Sequence, residues 1–299
     1  MKAGGLYGSV EAGGTKFVCA VGAGPDSVAD LTVIPTETPE ATIRNAIAFF
    51  KNAENRCGPL RALGVCSFGP IDLRRGSSTY GCITSTPKPG WRNTDIVGAF
   101  KAAFAIPVGF DTDVNGAALG EARWGAARGK GQVLYVTVGT GIGGGALASG
   151  RPVHGLLHPE MGHIRIPHDL LRDPYPGCCP YHGDCLEGLA CGVAIDGRWG
   201  KSGAELAGDE RVWDLEAEYL AAGIVNLSLT LSPEVVIIGG GVMRNGSLYP
   251  KIRSRAAALF NRYIAAEPVL SRMDEYIVPP GLGERAGIAG GFVLAAAAG

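Results

Sequence analysis

Histidine is scarce in this chain, with five among 299 residues, and methionine and tryptophan number four each. Blocks of like charge are missing too: 27 lysines and arginines stand against 28 aspartates and glutamates, a formal net charge of −1. A nearly neutral chain without a basic patch argues against nucleic acid or an anionic membrane as its main partner. No stretch of about 18 uninterrupted apolar residues signals a membrane helix. The opening residues, MKAGGLYGSVEAGG, lack the charged region and long apolar run of a secretory signal. The P-loop pattern GxxxxGK[ST] is absent, as are H-E-x-x-H and H-x-x-E-H, so neither a Walker-type phosphate loop nor a zincin-like metalloprotease is indicated.

What is present is glycine, 47 residues of it without a collagen-like period, clustered in short turns between apolar runs. The length suits one large domain or two ordinary ones. LYGSVEAGGTKFVCAVG reads as strand, glycine turn, strand; PEATIRNAIAFFKNA has helical spacing, with Thr38 as N-cap and Pro39 in the first turn. RALGVCSFGPIDL is a buried strand ending in a turn, TDIVGAFKAAF a helix, IPVGFDTD a strand and DVNGAALGEARWGAA a helix. QVLYVTVGTGIGGGALASG repeats the opening design, VWDLEAEYLAAGIVNLSLTLS is a long apolar helix, PEVVIIGGGV an apolar strand and ERAGIAGGFVLAAAA a small-residue helix. Alternating strands and helices predict an α/β architecture with mixed sheets, and the repeated strand–glycine–strand unit suggests two lobes. The expected division is a small lobe over 1–112 and a large lobe over 113–284, with a helix at 285–299 packing back on the small lobe.

Three glycine turns stand out: EAGGTK (with Gly13, Gly14, Thr15 and Lys16), VGTGIGGG (with Gly139, Thr140 and Gly141) and GGG (Gly239, Gly240, Gly241). Each alone reads equally well as a tight hairpin or as a concavity of N–H groups for an anion. GTGIGGG is no dinucleotide fingerprint, because a strand pattern and not a helix follows it. Three such turns, two of them in matched positions, suggest a nucleotide held by hairpins.

Asp113, in FDTDVNGAALGE, reads as a helix N-cap or as a carboxylate base held ionised by the helix end. Four of the five histidines and three of the eight cysteines fall within HPEMGHIRIPHDLLRDPYPGCCPYHGDC. Cys179, His182 and Cys185 have C-x2-H-x2-C spacing, and one further soft ligand would complete a tetrahedral zinc set. His163, His158 and His168 are candidates for that place, and spacing alone leaves Cys178 and Cys179 as alternatives. The bland reading is a surface loop with incidental Cys and His. Cys19, Cys57, Cys66, Cys82 and Cys191 read as buried small residues; dispersed thiols suggest a reducing, cytoplasmic setting. Asp72 reads as a turn residue or as a group near a hinge or Mg2+, and Trp124 and Trp199 as packing residues.

Together EAGGTKFVCAVG, CSFGPIDL, DTDVNGAALGEARWG, VGTGIGGG, HPEMGH and CPYHGDCLEG resemble the ROK family of sugar kinases, in family order across essentially the whole chain, and most closely its fructokinase branch. The resemblance implies the actin-like ATPase (ribonuclease H-like) fold, two lobes around a cleft that closes on its sugar. It implies ATP as co-substrate with Mg2+, a structural Zn2+, a hexose, most simply D-fructose, as acceptor, and a homodimer. It places Asp113 as general base and Glu160, His163 and Glu187 on the sugar hydroxyls. Thr112 stands where many members carry a sugar-contacting Asn, a change that fits the fructokinase branch. His163, Cys179, His182 and Cys185 become the zinc ligands. Glu11, where Asp is commoner, is implied near the metal-bound phosphates, and Thr84, Ser85 and Thr86 lie in the loop matching the family's sugar side. Kinases for mannose, glucose or N-acetylmannosamine are the alternatives within this class. A sugar-sensing repressor of the same family would carry a winged-helix domain before the first hairpin, and a zinc hydrolase would need an open metal position.

Overall fold

Residues 6–35 form an antiparallel meander because two turn signals, Gly13–Gly14 and the stretch around Pro25, punctuate β-prone runs. In this computed structural model, which describes residues 5–299, β1 (Leu6–Ala12), β2 (Lys16–Gly22) and β3 (Val28–Pro35) lead into α1 (Pro39–Cys57). The Thr38 side chain caps α1 by accepting the Ala41 N–H, and Pro39 sits at its first turn, where a missing N–H costs nothing. Then come β4 (Leu60–Ser67), short β5 (Cys82–Ile83) and β6 (Thr94–Asp95), α2 (Ile96–Ala103), β7 (Val108–Thr112) and α3 (Asp113–Trp124). The second half runs β8 (Val133–Val138), β9 (Ile142–Ala148), short β10 (Arg151–Pro152), α4 (Leu186–Ala190), α5 (Gly192–Trp199) and α6 (Glu210–Leu231). It ends with β11 (Val235–Gly239), α7 (Leu248–Phe260), α8 (Glu267–Ser271), α9 (Met273–Tyr276), β12 (Ile277–Val278) and α10 (Ala286–Ala298).

Two compact units result: 1–129 with 151–159 and 281–299, and 130–150 with 160–280. The first holds a sheet of order β3-β2-β1-β4-β7, in which β1 pairs antiparallel with β2 and parallel with β4. Its core gathers Phe17, Phe50, Phe100 and the fully buried Trp91, whose indole N–H donates to the Glu37 carbonyl at 2.8 Å. In the second unit β8 pairs antiparallel with β9 and parallel with β11, which pairs parallel with β12. Each unit therefore begins its sheet with a hairpin and extends it through a parallel neighbour.

The division expected at Asp113 falls instead at Gly129, because α3 packs along α10 within the first unit. That contact needs bare backbone: a Cβ on Gly290 would lie 2.0 Å from the Gly116 carbonyl oxygen. Small-residue α10 is thus explained by how closely it must approach its neighbours. No helix among the described residues is long and apolar enough to cross a membrane.

Candidate active site

In the first unit the chemistry collects at the corner where β7 runs into α3. Thr112, not Asp113, is the N-cap: its hydroxyl accepts the Asn115 N–H at 3.1 Å. Asp113 is the first residue of the helix, and its Oδ1 accepts the Val114 N–H at 2.9 Å. The expectation that the helix end holds this carboxylate low is overturned by burial, which pushes its pKa up to about 6 against the pull of the backbone N–H groups. Glu11, on β1, is raised to about 7, first by burial and then by the charge of Asp113, with Lys16 opposing. The Glu11 side chain lies against bare α10 backbone, since a Cβ on Gly287 would meet its carboxyl carbon at 2.2 Å.

Behind Asp113 stands a carboxylate that the sequence reading passed over. Asp111 is buried on β7, and its Oδ1 accepts the Thr112 N–H and the Asn115 side-chain N–H at 2.8 Å each. His154 Nε2 lies 3.0 Å from Asp111 Oδ2. The hydrogen bond to Asp111 raises the His154 pKa despite partial burial. The signal was local: Asp111 and Asn115 are four residues apart in DTDVN, the spacing that lets side chains meet across a helix start.

Turn geometry sorts the glycines. In the first hairpin the Gly13 N–H closes on the Lys16 carbonyl at 2.9 Å, while Thr15 and Lys16 are exposed. In the second the Gly139 N–H closes on the Gly141 carbonyl at 2.9 Å, and Thr140 is exposed. Those two N–H groups are consumed by their turns and are no donors for a ligand. Of the seven glycines singled out at the three turns, Gly240 alone has a left-handed backbone, with φ of 98°, and a Cβ there would sit 2.3 Å from the Val138 carbonyl oxygen. The third turn is therefore pressed against the β8 end of the second, within one unit. The Gly192 N–H, at the start of α5, ties to the Gly139 carbonyl at 2.7 Å.

The second unit also carries the Cys/His cluster. One ligand atom from each of His163, Cys179, His182 and Cys185 lies within 4.8 Å of all the others. Cys179 Sγ is 3.7 Å from His163 Nδ1 and 3.6 Å from His182 Nδ1, and Cys185 Sγ is 3.6 Å from His163 Nδ1. A tetrahedron with Zn–S near 2.3 Å and Zn–N near 2.0–2.1 Å has S···N edges of roughly 3.6 Å. The three S···N edges thus match those of a zinc tetrahedron, and the donor set of two thiols and two imidazoles suits that ion. The knuckle is held by paired backbone bonds between Cys179 and Gly183, the latter with φ of 63°. Cys185 opens α4, its sulfur accepting the Gly188 N–H at 3.5 Å.

The spare residues now have places. Cys178 turns away from the cluster, its sulfur 3.6 Å from that of Cys191. His158 lies in the first unit, where its Nε2 accepts the Ile71 N–H at 3.0 Å. His168 bridges the Asp173 carbonyl, 2.9 Å from Nε2, and the Asp184 carboxylate, 3.3 Å from Nδ1. Neither joins the Cys/His cluster. Glu160 is an exposed residue whose carbonyl accepts the His163 N–H at 3.0 Å. Glu187 Oε2 accepts the Ile142 N–H at 2.9 Å, and its other oxygen lies 3.9 Å from His163 Nδ1, so this carboxylate joins the glycine hairpin to the cluster. Asp72 is buried and saturated by Arg74, bidentately, and by the Thr79 hydroxyl at 2.6 Å. These bonds hold its pKa far below the usual carboxylate range and mark it as a structural node. Thr84 donates to the Pro70 carbonyl at 3.0 Å, and Thr86 is buried.

An α/β protein whose two sheets each open with a glycine hairpin has the actin-like ATPase fold of the ROK sugar kinases. Residues 7–298 match the ROK family, and the chain belongs to it. A fructokinase from Zymomonas mobilis is 47% identical, over 98% of this chain and 97% of that protein. Among solved structures, a ROK hexokinase from Thermus thermophilus superimposes with a TM-score of 0.81 at 29% identity, covering 98% of each chain. A ROK glucokinase from Streptomyces griseus, in complex with glucose and AMPPNP, gives 0.76 at 26% identity, over 98% of this chain and all of that one.

Proposed function

We propose that this protein is an ATP-dependent fructokinase that transfers the γ-phosphoryl group to the 6-hydroxyl of D-fructose. The observation that carries the reading is Asp113: a partly buried carboxylate at the first residue of a helix, with a pKa near 6, ionised at neutral pH yet basic enough to accept a hydroxyl proton. The sugar is argued from kinship, since the fructokinase relative stands at 47% identity and the glucokinase at 26%. Thr112 supports it as well. Its hydroxyl is already engaged as a helix cap, so it cannot supply the two-ended amide contact of an asparagine.

In this reading Asp113 orients the 6-hydroxyl in line with the γ-phosphorus and receives its proton as the O–P bond to the sugar forms and the bond from the γ-phosphorus to the bridging oxygen breaks, releasing ADP. Thr112, Glu160, His163 and Glu187 hold the remaining hydroxyls. Because His163 turns Nδ1 toward the two sulfurs, its Nε2 is the atom left to donate to a sugar oxygen. Gly13, Gly14, Thr15, Lys16, Gly139, Thr140, Gly141, Gly239, Gly240 and Gly241 are assigned to the nucleotide, Gly13 and Gly139 as the residues that close their turns and not as donors, with Thr15, Thr140 and the Lys16 ammonium as exposed polar groups. Mg2+ would enter with ATP and offset phosphate charge, with Glu11 as the nearby carboxylate on this chain. Zn2+ would be held by His163, Cys179, His182 and Cys185 as a closed structural site that fixes His163 and, through the start of α4, Glu187. We further assign the protein to the cytoplasm, where ATP is made and its eight free cysteines stay reduced, and expect a homodimer, which sedimentation would read directly.

The test is ADP release from ATP and Mg2+ with fructose, mannose, glucose and N-acetylmannosamine supplied in parallel. Fructose-dependent release well above the other three is expected. Equal or greater release with another hexose would reassign the substrate, and no release with any of them would overturn the kinase reading.

A further inference from the structure

The segment 151–159 leaves the second unit's sequence, joins the first unit, and is fixed there by two histidines. His158 Nε2 accepts the Ile71 N–H at 3.0 Å, and four residues earlier His154 Nε2 meets the Asp111 carboxylate at 3.0 Å. Between them the chain presents Leu156 and Leu157 to solvent.

Asp111 is the node to which His154 connects. Its carboxylate is nearly inaccessible and gathers three donors: the backbone N–H of Thr112, the side-chain amide of Asn115 and the imidazole of His154. Thr112 in turn caps α3 through the Asn115 N–H. Two of the three donors therefore sit on the residues that flank Asp113 in the helix start, and their positions are set by where the Asp111 carboxylate points. The third donor comes from 39 residues beyond Asn115 and is the part of this network that remains 38% exposed. A buried carboxylate with one donor removed swings toward whatever donor is left, and a displacement of about 1 Å at a reacting group costs up to about 100-fold in rate.

We propose that His154 is a positioning residue for phosphoryl transfer: acting through Asp111, it fixes the β7–α3 corner that carries Asp113. The proposal rests on the kinase reading above. His154 touches neither Asp113 nor the Cys/His cluster in the contacts described, so its effect would be felt in turnover and not in metal content or sugar affinity.

The experiment is steady-state kinetics with fructose, ATP and Mg2+ on the whole protein. It compares wild type, His154→Ala, His154→Gln, Asp111→Asn and the His154→Ala/Asp111→Asn double variant, with melting temperature and zinc content measured on each. Activity of the wild type comes first, because its absence removes the kinase reading and not this one. We expect His154→Ala to lower kcat roughly 10- to 100-fold with both KM values within about twofold of wild type and zinc unchanged. His154→Gln, whose amide reaches a similar distance as a donor, should recover most of kcat. The double variant should be no slower than the slower single one. A kcat within about twofold of wild type in His154→Ala would overturn the proposal. So would a raised fructose KM at unchanged kcat, which would make His154 a direct sugar contact, or a Gln variant as slow as Ala.

Discussion

Two carboxyls that titrate near neutrality, Asp113 at about 6 and Glu11 at about 7, sit in one corner of the first unit. Both are raised by burial, so each binds more protons folded than unfolded. Their contribution to stability is undiminished below the unfolded values near 4 and declines as pH rises through the folded ones. Catalysis needs the opposite state, because Asp113 accepts a proton only once ionised. These demands predict an unusual variant. Asp113→Asn should lose about 100- to 10,000-fold in kcat while still binding fructose. The same variant should melt higher than wild type at pH 8, by the equivalent of about 2 kcal/mol, with little difference at pH 4. Melts at the two pH values beside single-turnover rates check both halves. Near-normal turnover would take Asp113 out of the mechanism, and an unchanged melt at pH 8 would mean that the buried charge is compensated. In wild type, kcat/KM should fall as pH drops through the window from about 7 to 6; the two groups interact, so the limb belongs to the pair.

At the scale of elements, the knuckle 179–185 shows how far spacing carries and where it stops. C-x2-H-x2-C places three ligands on one turn of backbone, and that much was readable. Choosing among three histidines for the fourth place required the return path of the chain from residue 161 onward, which periodicity does not encode. The hydrogen bonds that decide it are His158 to Ile71 and His168 to Asp173 and Asp184. His168 and Asp184 also connect the knuckle to a buried node, where Asp173 accepts from both Arg198 Nε at 3.1 Å and the Tyr219 hydroxyl at 2.6 Å. The knuckle thus has two anchors, the Cys/His cluster and this polar network. Cys185→Ser should therefore lower zinc content below half an equivalent and loosen His163 and Glu187. Fructose KM should rise about tenfold or more, while the fold is retained through Asp173. Metal analysis returning a full equivalent would remove Cys185 from the ligand set, and global unfolding would show that the polar network does not hold the loop.

For the whole molecule, periodicity and turn signals made most strands and long helices legible, and the resemblance supplied the fold. Neither located the division between the units, because that depends on contacts between residues far apart in sequence. The chain passes between its units at Gly129–Lys130, Gly150–Arg151, Pro159–Glu160 and Pro280–Gly281. At the last of these a single side chain receives it. Glu121, fully buried at the end of α3, accepts the N–H groups of Gly281 at 3.0 Å, Leu282 at 2.9 Å and Ala126 at 2.6 Å. Nothing in EARWG announces this role, since a glutamate on a helix usually faces water. The three donors approach both carboxylate oxygens, so an amide in either orientation turns its NH2 against at least one backbone N–H. Glu121→Gln, although isosteric, should then cost about 2–3 kcal/mol by leaving buried donors unpaired. Denaturant midpoints would show that loss, and limited proteolysis should cut first near Gly281 as α10 loosens from α3. A variant as stable as wild type would mean that the packing of α10 on α3, β1 and β4 secures it to the first unit without the Glu121 bonds.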